Sequence, residues 1–203
     1  MTIKLVIKRI FLIIIFALFY SSTIDAQNVT KISVETDPLT YAYKGYSVHL
    51  KVNPTGAEKV LLGYGMLIGS LFTETKLPDF FINLNKKNKD KGWDVNIRGS
   101  YSLFFEYYFT TANEKWFIGQ QSGIHLFRIE NQSVPDTHSD FNQLMLMAYG
   151  GYVWHPFSSS LYIKPWFGVG FSPKINGINK VDNNEYNVSS ITLFATFHIG
   201  YTF

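Results

Sequence analysis

Apolar residues recur at every second position along most of this chain, and that period decides what it folds into. From Trp93 the odd positions read Trp93, Val95, Ile97, Gly99, Tyr101, Leu103, Phe105, Tyr107 and Phe109. The even positions between them read Asp94, Asn96, Arg98, Ser100, Ser102, Phe104, Glu106 and Tyr108. Successive side chains of a strand point to opposite faces, so one face of this segment is apolar and the other carries three charges. The same pattern sets Tyr46, Val48, Leu50 and Val52 against Ser47, His49 and Lys51, and sets Val60, Leu62, Tyr64, Met66 and Ile68 against a glycine-rich face. Further along, Ile191, Leu193, Ala195, Phe197, Ile199, Tyr201 and Phe203 share one side, with Thr192, Thr196, His198 and Thr202 on the other.

The alternation predicts eight strands, about 29–37, 45–53, 59–69, 93–109, 116–128, 141–154, 161–172 and 188–203. In 116–128 and 141–154 both faces hold apolar residues, so their facing stays open at this point. The connections NPTGAE, TTANEK and HPFSSS are tight and polar, whereas Ser70–Gly92 and Pro173–Asn187 are long. Turns that alternate short and long place all the short ones at one end of a barrel and all the long ones at the other. An even number of strands brings both termini to the short-turn end.

The first 26 residues stand apart. Lys4, Lys8 and Arg9 precede an apolar run of 11 residues, Ile10–Tyr20, and SSTIDA follows with a cleavage point after Ala26. That order is a secretory signal, and the run is too short for a permanent spanning helix. The expected organisation is a cleaved segment 1–26 and a barrel domain 27–203. Without the segment, 15 of the 18 Lys+Arg and 14 of the 15 Asp+Glu remain, so the basicity gives no argument for nucleic acid. Zero cysteine removes disulfides, thiolate metal sites and a lipoprotein anchor.

Alternation alone does not say whether the apolar face of a barrel points in, as in a soluble binder, or out, as in a membrane barrel. Three features favour the membrane. The polar face carries Lys51, Asp94, Arg98, Glu106, Lys164 and His198 among glycines, which suits a narrow lumen with paired charges. Aromatics gather at strand ends in two belts: Tyr41, Tyr43, Tyr46, Trp93, Phe127, Phe141 and Phe171 toward the long loops, and Tyr107, Phe109, Trp116, Tyr152, Trp154, Tyr201 and Phe203 toward the short turns. Short turns on the side of the termini complete the usual arrangement of outer-membrane barrels. The fold expected is therefore all-β, an eight-stranded antiparallel up-and-down transmembrane β-barrel.

LYIKPWFGVGF, Leu161–Phe171, followed by a loop and a terminal aromatic strand, resembles the small eight-stranded outer-membrane barrels of Gram-negative bacteria, broadly of the outer-membrane protein W type. DPLTYAYKGYSVHL and LPDFFINLNKKNKDKGW look like stretches of uncharacterised barrel proteins. The resemblance implies a cell outer membrane location after secretory export, and a final strand whose Phe197, Ile199, Tyr201 and Phe203 are read by the barrel-assembly machinery.

Eight strands enclose a lumen just wide enough for side chains to fill, which argues against a general porin. Lys51, Arg98, Glu106, Lys164 and His198 are expected to form its polar network, with Glu106 paired to Lys164 or Lys51 because an unpaired charge there is costly. Loop Ser70–Gly92 joins the apolar LPDFFINL to the lysine-rich KKNKDK. Phe80, Phe81, Ile82, Lys86 and Lys87 are its candidate mouth for a small apolar ligand and for outer-membrane lipid and lipopolysaccharide. The histidines have no metal spacing, and His138, Ser139 and Asp140 adjoin in one loop without converging as a triad must. The expectation is a monomer without cofactor, non-enzymatic, with an envelope structural or interaction role or passage of a small apolar ligand. The competing readings are a lipid-modifying enzyme and a soluble ligand binder.

Overall fold

The structure, a computed structural model, describes residues 31–69, 75–157 and 159–203, with the backbone alone over 64–69. The expected signal segment 1–26 lies outside these residues. The elements are β1 Lys31–Thr36, α1 Pro38–Ala42, β2 Gly45–Asn53, β3 Val60–Gly69, β4 Thr75–Lys76, α2 Asp79–Leu84, β5 Trp93–Tyr108, β6 Lys115–Asn131, β7 Val134–Val153, β8 Leu161–Phe171, β9 Lys174–Gly177, β10 Lys180–Val181, β11 Asn184–Glu185 and β12 Ile191–Thr202. Eight of them, β1, β2, β3, β5, β6, β7, β8 and β12, pair antiparallel in chain order. The ring closes where β12 returns to β1, from Ser33 opposite Thr202 to Thr36 opposite Ile199. These are the eight strands the alternation predicts.

At the short-turn end and through the middle, the outer face is apolar. Val34, Leu50, Leu103, Phe105, Ile118, Phe167 and Leu193 are all exposed there, while Ser33, Glu35, Lys51, Glu106, Lys164 and His198 are buried inside. A water-soluble barrel has the opposite polarity. β12 climbs roughly 25–30 Å at the usual rise and tilt, the height of a bilayer's hydrocarbon core. Tyr107, Phe109, Trp116, Trp154, Tyr201 and Phe203 are exposed at its lower rim and Tyr41, Tyr43, Tyr46 and Phe171 at its upper one. The fold is a transmembrane β-barrel.

Above the upper rim the polarity inverts. β6 and β7 run on to a turn at Gln132 and Ser133, so the stretch 129–140, expected as a connection, is mostly strand. His138, Ser139 and Asp140 therefore lie on β7, where Ser139 faces away from its two neighbours. The open facing of these two strands is now fixed: Phe117, Phe127, Phe141, Met145, Met147 and Tyr149 point inward. Ile82, Trp93, Val95, Phe127, Ile129, Phe141 and Val181 pack as a second core inside the extension, with α2 and β10 laid over it. Its outer face carries Arg98, Asp140 and Arg128. The head is thus built like a water-soluble protein standing on a membrane one.

β5 makes this inversion with a bulge between Ile97 and Gly99. The extra residue, Arg98, shifts the side-chain phase by one. Trp93 and Val95 turn inward although Tyr101, Leu103 and Phe105, of the same parity, face out. The upper aromatic belt loses three of its expected members: the bulge turns Trp93 inward, and Phe127 and Phe141 lie on the inward face of β6 and β7, so all three are head core, not interfacial rings.

Candidate functional site

Four wall strands each send one charge into the lower lumen. Glu35 comes from β1, Lys51 from β2, Glu106 from β5 and Lys164 from β8, all 1 % exposed or less. Lys51 Nζ donates to Glu35 Oε2 at 2.6 Å and Glu106 Oε1 at 2.7 Å; Lys164 Nζ donates to Glu35 Oε1 at 3.1 Å and Glu106 Oε2 at 2.6 Å. Two ammonium groups and two carboxylates form a closed ring with no net charge. Lys164 also lies 4.4 Å from the Phe117 ring centroid, and Lys51 lies 5.1 Å from that of Phe104.

Burying four ions costs several kcal/mol each unless every lone pair is met. Three tyrosines complete the set: Tyr162 donates to Glu35 Oε1 at 2.9 Å, Tyr149 to Glu106 Oε1 at 2.6 Å and Tyr108 to Glu106 Oε2 at 2.8 Å. With His198 Nδ1 at 2.9 Å from Glu35 Oε2, each carboxylate receives four donors, the full capacity of an ionised carboxyl. Two of the tyrosines lie flat across glycines of the adjoining strand. A Cβ on Gly119 would stand 2.6 Å from Tyr149 Cζ, and one on Gly200 would overlap the Tyr162 ring.

The turn between β5 and β6 folds back to close the lumen from below. Asn113, in the left-handed region at φ 62° that asparagine tolerates, donates to Ser33 Oγ at 2.6 Å and Thr202 Oγ1 at 3.0 Å. The Tyr108 hydroxyl reaches its Oδ1 at 3.1 Å, and His155 Nε2 donates to its carbonyl at 2.9 Å. Asn113 is thereby a floor beneath the quartet.

Glu35, His49 and His198 bring three ligand-type atoms within 4.8 Å of one another. The hydrogen bonds do not leave this set open to a cation. The Trp166 indole N–H can only donate, and it donates to His198 Nε2 at 3.1 Å, so Nδ1 carries the proton that goes to Glu35. The Lys51 ammonium already occupies the same carboxylate oxygen. His49 Nδ1 stays 3.9 Å from it and unpaired among the described residues.

Lys51, Glu106, Lys164 and His198 thus meet in one network, and Arg98 does not belong to it. Arg98 is displaced by the bulge to the outer face of the head, where Nη1 donates to Asp140 Oδ2 at 2.6 Å, beside Arg128. In the candidate mouth Ile82 is head core and takes no part in a surface, while Phe80 is exposed and Phe81 stacks on Phe194. Lys86 and Lys87 are exposed on a turn that Asn85 and Asn88 fasten to Asn187. Phe197, Ile199 and Tyr201 lie on the outer face of β12 and Phe203 directly follows that strand, all half-buried to exposed. Sequence reasoning missed Glu35 and the three tyrosines. Glu35 was legible in KISVET, where Ser33 and Glu35 alternate with Ile32 and Val34.

In the head, burial pushes the Tyr186 phenol up to about 12, and a hydrogen bond with Asp94 holds the Lys76 ammonium above its usual range.

No family model matches the chain, and no curated protein matches it. Among solved structures it is similar to a major outer membrane protein from Thermus thermophilus, at 13 % identity over 86 % of this chain and 100 % of that one, with a TM-score of 0.47.

Proposed function

We propose that this chain is a non-conducting, non-enzymatic barrel of the bacterial outer membrane, exported by its first 26 residues, with a structural and interaction role carried by its head. The observation that carries this reading is the closed quartet above the Asn113 floor, whose four side chains meet across the lower lumen, buried and paired with one another. Purified protein in planar bilayers should give no unitary current steps. Stepwise, reproducible conductance in the unmodified protein would overturn the proposal. The same protein should fractionate with outer membranes and run faster on SDS gels before boiling than after. Its outward Phe197, Ile199, Tyr201 and Phe203 supply the aromatic face that the assembly machinery would read.

The head presents Lys86, Lys87, Lys89 and Lys91 on one short turn, all exposed. The Asn85 and Asn88 contacts with Asn187 hold this turn against the rest of the head. Lipopolysaccharide phosphates are the anions at that level of the envelope, and clustered surface lysines attract anionic headgroups by about 1 kcal/mol each. Replacing all four by glutamine should weaken binding to lipopolysaccharide aggregates about 10- to 100-fold at low salt, with the difference shrinking as ionic strength rises. Binding by the variant equal to that of the unmodified protein at low salt would remove this contact from the proposal.

A further inference from the structure

The barrel wall is incomplete beside its first strand. β1 pairs with β2 only up to His49 and with β12 only up to Ile199, although both neighbours continue beyond those points. The space between Gly45–Val48 and Ile191–His198 is taken instead by Asp37 and the single turn of α1. Asp37 holds both sides of the gap. Its backbone N–H donates to Ser47 Oγ on β2 at 2.6 Å, and its Oδ2 accepts from Thr196 Oγ1 on β12 at 2.8 Å. Its Oδ1 caps α1 through the Leu39 N–H at 2.9 Å.

Directly behind this seam lies a cavity of about 140 Å³. Asp37, Thr40 and Ser47 form its seam side, and His49, Phe104 and His198 belong to its lining together with Trp166 and Phe194. The quartet and Asn113 close the lumen below, so the cavity is a blind cup. A cavity of ~150 Å³ lined by apolar side chains accommodates benzene, which sets the scale of one aromatic ring. Two features suit such a ring. Trp166 and Phe194 stack with their centroids 5.5 Å apart and 30° between planes, and the Met145 and Met147 thioethers line the same space and favour aromatic contact.

The lining also offers hydrogen bonds that the protein does not use. Ser100 and His125 sit opposite each other in the β5–β6 register, both line the cavity, and neither side chain is hydrogen-bonded to a described residue. Gln121 gives its amide N–H to Ser102 Oγ and keeps its carbonyl oxygen. Among the described residues the lining holds no lysine or arginine, since Lys51 and Lys164 are consumed by the quartet, and Asp37 stands at the way in. We propose that this cup binds a neutral monocyclic aromatic molecule bearing a hydroxyl group, a phenol, admitted through the wall at the Asp37 seam.

The ring lies against Trp166 and Phe194, and the hydroxyl bonds to His125 and Ser100. An aromatic carboxylate is excluded by Asp37 and by the absence of an available cation. This goes beyond the structural role proposed above and does not depend on where in the envelope the barrel resides.

The test uses the full chain in lipid nanodiscs with 4-fluorophenol, fluorobenzene and 4-fluorobenzoate followed by fluorine NMR, against empty nanodiscs as the partition baseline. The expected result is saturable binding of 4-fluorophenol above that baseline and none of 4-fluorobenzoate. His125→Leu, which keeps the bulk but removes the polar group, should weaken 4-fluorophenol about tenfold and leave fluorobenzene unchanged. Ser102→Leu, which fills the cup, should abolish both. Thr196→Val, which frees one side of Asp37, should speed ligand exchange several-fold at unchanged affinity. Both cup variants must keep heat-modifiable gel mobility, so that lost binding is not lost folding. Binding no greater than that of empty nanodiscs, or equal in the wild type and His125→Leu, overturns the site. Unchanged exchange in Thr196→Val overturns the seam as its route.

Discussion

Lys164→Met should lower the unfolding free energy of the barrel by about 3–5 kcal/mol, the cost of removing one member of a buried ion pair. Lys164 Nζ serves both carboxylates and the Tyr108 hydroxyl, so the variant leaves two buried anions facing a single lysine. Methionine keeps most of the side-chain volume, and the contact with the Phe117 ring survives as packing. The loss therefore reports charge, not a hole. Urea unfolding of the protein in lipid vesicles, followed by tryptophan emission, measures it. Adding Glu106→Gln restores neutrality, with Lys51 and Glu35 remaining as a pair, and the double variant should recover at least half of the loss. An unchanged unfolding midpoint in Lys164→Met, or a double variant as unstable as the sum of the two singles, would show that the quartet is not what holds the lumen shut.

Gly119→Ala should cost about 2–3 kcal/mol although it adds one methyl group, the usual scale of overpacking in a filled interior. The new Cβ would meet Tyr149 Cζ at 2.6 Å and Cε1 and Oη at 2.9 Å. The ring cannot retreat freely, because its hydroxyl is held by Glu106 and its face packs on Phe117 and Trp166. Displacing it forfeits a hydrogen bond to a buried carboxylate, itself about 1.5–3 kcal/mol. Tyr149→Phe should therefore lose only the hydrogen bond and remain incompatible with Gly119→Ala. Tyr149→Leu, which vacates the ring's place, should make the alanine nearly neutral. Thermal or urea unfolding of the unmodified protein, Gly119→Ala, Tyr149→Leu and their double variant gives the coupling directly, and additivity between Gly119→Ala and Tyr149→Leu would refute the account.

The number of strands, their order and the polarity of the barrel were legible because each follows from a period of two, and six of the eight wall strands run for ten or more residues. What escaped lies where the period misleads. Between Trp93 and Phe109 the odd positions stay apolar without a break, yet the bulge at Arg98 reverses their facing, since an inserted residue in a strand leaves no gap in the composition. The apolar outside of the barrel and the apolar inside of the head therefore read as one continuous face. Aromatic rings near strand ends are ambiguous for the same reason: Trp116 and Trp93 sit at similar places in their strands, but one is exposed at a rim and the other is core. Lys51, Glu106 and Lys164 stood out as charges on polar faces. Tyr108, Tyr149 and Tyr162 did not, because a tyrosine is at home both in an interfacial belt and over a buried carboxylate.

The brevity of β1 has a consequence for how the barrel forms. Only four pairs of residues join it to β12, fewer than the nine between β3 and β5 or the eleven between β12 and β8. Until that last contact is made, Lys164, Tyr162 and His198 on one edge have no Glu35, and Glu35 on the other has only Lys51. Zipping four residues gains little by itself, but it neutralises the interior in the same step. Ring closure and charge cancellation are one event, so a half-zipped barrel has no stable resting place, and the shortest seam in the wall behaves as a latch that is either fully engaged or open.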